Sequence, residues 1–401
     1  MTALRRAIRQ EMMNRQIHRG YIEGYYGRLL SFKDRHQLLG TLHDLSMDSY
    51  LYAPKEDVLH RFDWRRPYPE DWCADFAAFC AAARAKQIRI LAGLAPGLDF
   101  AFDDYKEDTV ALRAKAEQLA KAGADGLVLM FDDISSDLSV FDRAGISEGQ
   151  AHARLATWLQ EETGCPVFLV PRLYADEVEG DHSAYASELN KNMAEDIGVF
   201  TCGVTIVAEK ISLPDKAGIL ADKLRQPVII WDNLYCNDYC PRRLFTGEWT
   251  GRKETDPILL NGTGMPETDK LLLGLMARKD RKVLFAKAGI PAAFAHIECY
   301  LWHPVFSGQP RAAAQPDPQG VLQALEQLLW QWKGQLAREW YPYLFGLKGD
   351  LLIAGGNMEN ERISKTQTNA LASVLTKQRS TALSADGYRL MTSPTLLSTF
   401  L

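Results

Sequence analysis

Long apolar runs are missing from this chain. No stretch approaches the roughly 18 uncharged apolar residues that a membrane span requires. The first twenty residues, MTALRRAIRQEMMNRQIHRG, carry charge in every turn and lack the apolar centre of an export signal. A soluble, unexported, cytoplasmic protein is expected. An excess of basic charge is also missing, with 46 Lys and Arg against 51 Asp and Glu for a formal net charge of −5. The broad positive face of a nucleic-acid binder is therefore excluded. Cysteine is sparse and odd in number: the seven residues are Cys73, Cys80, Cys165, Cys202, Cys236, Cys240 and Cys299. They read as reduced, small hydrophobes rather than a disulfide framework. Cys236 and Cys240 have no second Cys or His pair at ligand spacing, so no zinc site is expected. No Gly-rich phosphate cradle, internal repeat or long low-complexity tract is present. No cofactor, metal or membrane partner is expected.

What is present is an ordinary globular composition, 47% hydrophobic over 401 residues. Eight short β-rich apolar runs recur with helical stretches between them, at 17–23, 49–53, 88–95, 126–131, 167–170, 199–207, 228–231 and 258–260. Continuous rather than alternating hydrophobicity marks parallel strands covered on both faces. Eight such runs over about 250 residues are the dimensions of a (β/α)8 barrel. Between them, Trp72, Phe76, Phe79 and Cys80 share one helical stripe, as do Val110, Leu112, Ala116 and Leu119, with Gly123 as a stop signal. After about Lys270 the chain is helical with no new strand candidates, and 307–320 is a break rich in Pro, Gly and Ala. Leu322, Leu325, Leu329, Trp332 and Leu336 then repeat at helical spacing. The expected organisation is a barrel domain at 1–275, with a short extension at 1–15, followed by an α-helical C-terminal domain at 276–401. That helical segment either packs within its own chain or pairs two copies into a homodimer.

Barrel enzymes carry their chemistry where strands end, so the polar residues that terminate each run are the candidates. Here they are Glu23 to Arg28, Lys55 to Asp57, Asp132-Asp133, Arg172 to Tyr174, Asp232-Asn233 with Asn237-Asp238, and Asn261. Asp132-Asp133 is the most chemical of these. Two adjacent carboxylates at the end of a buried strand cannot both ionise freely, which predicts one raised and one lowered pKa, and hence an acid and a base. Asp103-Asp104 is a second such pair, but it lies in a polar stretch ahead of a helix, where carboxylates suit the positive N-terminal dipole. Lys55 follows a strand end, where a cation would hold a substrate hydroxyl or phosphate, or simply be solvated. Trp231 taken singly reads as barrel packing. Asn233 and Asp238 flank the same loop, and sugar sites combine an aromatic face with amide and carboxylate groups. His60, Arg61, Arg65 and Arg66 read as loop-anchoring ion pairs.

Four segments, Glu23-Gly24-Tyr25-Tyr26-Gly27-Arg28, YLYAPKEDVLHRFDWRRPYP, Phe131-Asp132-Asp133-Ile134 and IIWDNLYCNDYCPRRLFTG, occur in order between Gly20 and Asn261. Together they resemble glycoside hydrolase family 84, the β-N-acetylglucosaminidases. The resemblance implies retaining, substrate-assisted hydrolysis, in which the sugar's own acetamido oxygen attacks the anomeric carbon to form an oxazoline, so that no enzyme nucleophile is needed. It further implies that Asp132 orients the acetamido N–H, while Asp133 acts first as general acid and then as base. By the same resemblance Tyr174 and Asn233 contact the acetamido group, Asp238, Lys55, the Gly24 backbone and Asn261 hold sugar hydroxyls, and Trp231 lines the pocket. The implied partner is a GlcNAc-bearing glycoprotein or glycan, with removal of terminal GlcNAc, including O-linked GlcNAc on Ser or Thr. Two alternatives remain at this level: a β-hexosaminidase of glycan or cell-wall fragments, and a catalytically weak GlcNAc-binding protein. The chain departs from the family pattern at Leu29-Leu30, Arg172-Leu173, Thr205 to Ala208 and Gly262.

Overall fold

The structure is a computed structural model and describes residues 17–213, 217–304 and 317–354. The extension at 1–15, most of the break at 307–320 and the end of the helical segment beyond 354 lie outside the described residues. Eight parallel strands close into a barrel in sequence order. They are β1 (Arg19–Glu23), β2 (Ser49–Tyr52), β3 (Arg89–Leu94), β4 (Gly126–Met130), β5 (Val167–Val170), β6 (Gly198–Thr201), β7 (Val228–Asp232) and β8 (Ile258–Asn261). Closure sets Ile22 of β1 beside Leu51 of β2 on one side and Asn261 of β8 on the other, which brings the first and last strand ends to one rim.

The strands are buried on both faces, as their unbroken hydrophobicity requires. Inside the barrel, Ile22, Leu51, Leu91, Val128, Val170, Phe200, Ile229 and Leu259 form a single apolar cluster that floors the rim. Outside, Tyr50 meets Phe79 edge-on at 5.2 Å, and helices α1 (Phe32–Asp44), α2 (Glu70–Ala85) and α3 (Lys106–Lys121) cover β1 to β4. The ring continues with α4 (Ser139–Ala144), α5 (Glu148–Thr163), α6 (His182–Asn192) and α7 (Gly218–Lys223), and α8 (Pro266–Met276) and α9 (Arg281–Lys287) follow β8. Glu23, the last residue of β1, pairs with Arg35 of α1 at 2.8 Å and accepts from Tyr50 Oη at 2.7 Å, so it fastens helix to barrel.

Three expectations are corrected. The sixth run stops at Thr201 instead of Val207, because Gly203 adopts a positive φ of 90° and the chain leaves the sheet after a single bridge to Ala175. Val110 leaves the predicted stripe and is 59% exposed, while Leu112, Ala116 and Leu119 are buried. The C-terminal stripe is also not one helix. It is α10 (Pro318–Trp330) and α11 (Gln335–Ala354), separated at a turn where Gly334 has a φ of 125°.

The chain divides into two compact units, of which the second holds described residues 290–300 and 317–354. Within that unit Trp340 of α11 packs on Trp332 at 5.6 Å and on Phe294 at 5.4 Å. Among the described residues no helix is long and apolar enough to cross a membrane.

Candidate active site

A cavity of about 730 Å³ opens at the C-terminal rim of the barrel, and all nine candidate residues, Gly24, Lys55, Asp132, Asp133, Tyr174, Trp231, Asn233, Asp238 and Asn261, line it. They come from β1, β2, β4, β5, β7 and β8, so only barrel closure makes them neighbours. Parallel strands all present their carboxyl ends on the same side, which is why one loop per strand suffices to build the site.

Asp132 and Asp133 follow β4. Asp132 is buried and paired with Lys55 Nζ, which also lies 3.4 Å from Asp133. Asp132 Oδ1 is buried with no hydrogen-bond partner among the described residues. Asp133 receives Tyr174 Oη at 2.8 Å on one oxygen and Tyr26 Oη at 3.1 Å on the other. Its backbone is left-handed, with a φ of 53°, a region that residues with a β-carbon seldom occupy. The two carboxylates therefore face different surroundings although they are adjacent in sequence.

Burial works to raise the Asp133 carboxyl, but the Lys55 charge and the Tyr174 and Tyr26 hydroxyls outweigh it and hold the group below the usual range. Burial and the neighbouring carboxylate push both phenols up, so each remains a donor. Asp133 is thus a lowered member of the pair, held in its charged form by Lys55 and the two hydroxyl donors.

On the opposite wall, Asn233 Oδ1 accepts from Trp231 Nε1 and Asn261 Nδ2, both at 3.0 Å, while its own amide donates to the Ile206 carbonyl at 2.9 Å. Asn261 Oδ1 accepts the Gly24 N–H at 3.2 Å. A β-carbon at Gly24 would sit 2.4 Å from the Trp231 ring, so glycine is required for the backbone to reach the pocket. Asp238 is held by the N–H groups of Tyr26 at 2.9 Å and Tyr239 at 2.8 Å, and by Cys236 Sγ at 3.2 Å.

Several participants escape local sequence reasoning. Tyr26 lies two residues after Gly24 in the same run, and this proximity was the signal available for it. Cys202 and Cys236 are buried, as expected of small hydrophobes, yet each accepts from a site amide, Asn233 at 3.4 Å and Asn261 at 3.5 Å. The ion-pair reading of the β2 loop holds for Arg65, which clamps Asp99 and Asp108, and for Arg66 with Asp63 at 2.8 Å. It is wrong for His60 and Arg61. The loop folds inward, so His60 is buried against the Gly93 carbonyl at 3.2 Å, and burial lowers its pKa to about 4. Arg61 donates to main-chain carbonyls: Nη1 to that of Asp132 at 3.3 Å and Nη2 to that of Asp133 at 2.7 Å.

A closed parallel barrel thus gathers paired carboxylates, amides and an indole around one cavity at its rim. A model of the β-N-acetylglucosaminidase family matches residues 19–271, the whole barrel, and the chain belongs to that family. It is 30% identical over 239 residues to protein O-GlcNAcase of Rattus norvegicus and 30% identical over 247 residues to protein O-GlcNAcase of Mus musculus. Each match covers 58% of this chain and 26% of the relative, so the chain spans about a quarter of the length of these proteins.

Proposed function

We propose that the chain is a retaining, exo-acting β-N-acetylglucosaminidase that uses the acetamido group of its substrate as nucleophile. The observation that carries this reading is the division of labour between the two carboxylates. Asp132, buried and paired with Lys55, keeps one buried oxygen without a partner among the described residues, which suits it to accept an acetamido N–H. Asp133, more open and ringed by hydroxyl donors, suits proton transfer at the glycosidic oxygen.

In the first step the acetamido oxygen bonds to the anomeric carbon as the bond to the leaving oxygen breaks, and the Asp133 proton passes to that oxygen. Asp132 steadies the positive charge that grows on the acetamido nitrogen. In the second step water attacks the anomeric carbon, Asp133 takes its proton, and the oxazoline opens. Two inversions give retention.

The proton inventory follows from the site. When the acetamido group takes the Tyr174 hydroxyl and the sugar excludes water, Asp133 loses a donor and becomes more buried. Both changes favour its protonated form. Asp238, Asn261 and the Gly24 backbone then hold the hydroxyls, with Trp231 as the wall. The relatives' name, protein O-GlcNAcase, supports protein-borne O-GlcNAc as the substrate.

The test is release of GlcNAc from a methyl β-GlcNAc glycoside, whose alkoxide leaving group needs a proton, by wild-type protein and by Asp133→Asn. A loss of at least about a hundredfold in the variant is expected for removal of a general acid. Equal release would refute the assignment. Turnover of a GlcNAc-serine peptide beside a GlcNAc disaccharide decides the linkage.

A further inference from the structure

The loop between β2 and α2 supplies two cations to the same pair of aspartates, one to their side chains and one to their main chain. Lys55 engages the side chains. Arg61, 4% exposed, spends its guanidinium on the two consecutive main-chain carbonyls of Asp132 and Asp133. The second of these carbonyls belongs to the left-handed residue. A planar fork of donors can bridge successive carbonyls in a way that a lysine ammonium cannot.

The position of Arg61 is itself fixed. Asp57, two residues beyond Lys55, accepts from Tyr52 Oη at 2.6 Å, Tyr68 Oη at 2.9 Å and the Leu59 N–H at 2.9 Å. Next to Arg61, His60 wedges against β3. Its carbonyl accepts the Ala95 N–H at 3.3 Å, and a β-carbon on Gly93 would come within 2.7 Å of its ring. Lys55 and Arg61 are thus the two ends of one braced loop, and the braced end grips the turn that aims Asp133.

We propose that Arg61 is a positioning residue for the reaction: by clamping the Asp132 and Asp133 carbonyls it holds the left-handed turn and so sets the line along which Asp133 delivers its proton. This rests on the reading of Asp133 as general acid. Arg61 touches no reacting atom and lies outside the lining of the cavity. Its loss should therefore act on proton delivery rather than on sugar binding.

A misaimed acid harms substrates in proportion to how much their leaving group needs a proton. The experiment compares wild type, Arg61→Lys and Arg61→Met, as full chains, on a methyl and a dinitrophenyl β-GlcNAc glycoside, with thermal unfolding measured alongside. The expected result is a fall in kcat/KM of about tenfold to a hundredfold on the methyl glycoside, the size of effect that small misplacements of a reacting group produce. On the dinitrophenyl glycoside, whose leaving group needs little protonation, the loss should be several-fold smaller, with KM nearly unchanged. Guanidinium added to Arg61→Met should restore part of the methyl-glycoside activity.

Equal losses on both glycosides, or no loss, would overturn the inference. Arg61→Lys, which keeps the charge but not the fork, carries the same comparison if Arg61→Met is poorly folded. A wild-type protein that hydrolyses neither glycoside would refute the hydrolase reading itself, and the inference with it. Wild-type turnover with uniform loss in the variants would overturn only the role of Arg61.

Discussion

Replacing Lys55 by methionine should couple the stability of the barrel to pH in a direction the structure fixes. Lys55 is 2% exposed and sits between two carboxylates, 3.4 Å from Asp133. At that separation the Coulomb attraction is about 5 kcal/mol for an effective dielectric of about 20. Asp133 is 33% exposed, so solvent screening reduces the figure, and losing the cation raises its carboxyl from the lowered value it has in wild type. In wild type the folded carboxyl lies below its unfolded value. It therefore contributes stability above the unfolded pKa, and that contribution is lost as pH falls through the folded one. In Lys55→Met that lowering shrinks or is lost while burial still acts to raise the group, so the variant loses less stability than wild type as pH falls. The difference between the two proteins should be widest above about pH 6, should narrow as pH falls through the carboxylate range near about 4, and should go on narrowing until pH passes below the wild-type folded value. For a unit of this size each 1 kcal/mol of narrowing corresponds to about 2 to 4 °C in Tm. Thermal unfolding of both proteins across this range is the assay. A Tm gap that stays constant with pH, or widens on acidification, would refute the reasoning.

Two further outcomes are expected. Gly24→Ala should cut kcat/KM at least about tenfold while leaving the fold intact, since a methyl group 2.4 Å from the Trp231 ring must displace the wall or the Gly24 strand end; steady-state kinetics with unchanged circular dichroism checks this. Asp238→Asn should cost about 1.5 to 3 kcal/mol of transition-state binding, roughly tenfold to 150-fold in kcat/KM, because a charge-assisted acceptor becomes an amide whose NH₂ faces the Tyr26 or Tyr239 N–H; a Michaelis–Menten comparison with wild type suffices.

The strands were legible because burial on both faces leaves a local mark. Seven of the eight apolar runs coincide with strands to within two residues at each end, and the sixth overran because its apolar tail, Ile206 and Val207, lines the cavity wall instead of extending the sheet. The strand-end rule likewise located the polar rim. Side-chain partners were less legible. His60 and Arg61 look like any exposed loop pair until the fold turns that loop inward, and Cys202 and Cys236 gain polar contacts only because the barrel sets asparagines against them.

By itself, then, the amino-acid order determined the alternation of strand and helix, the residues that would stand at the strand ends, and the crowding of Asp132 against Asp133. These follow from periodicity and from neighbours along the chain. Only the tertiary structure decided which carboxylate is buried against Lys55 and which is open to Tyr26 and Tyr174, that Asp133 would be held below its usual pKa, and that Arg61 would grip the turn between them. Those outcomes depend on groups 41, 72, 77 and 107 residues apart in sequence, joined by barrel closure, and local sequence carries no record of which distant charge will arrive.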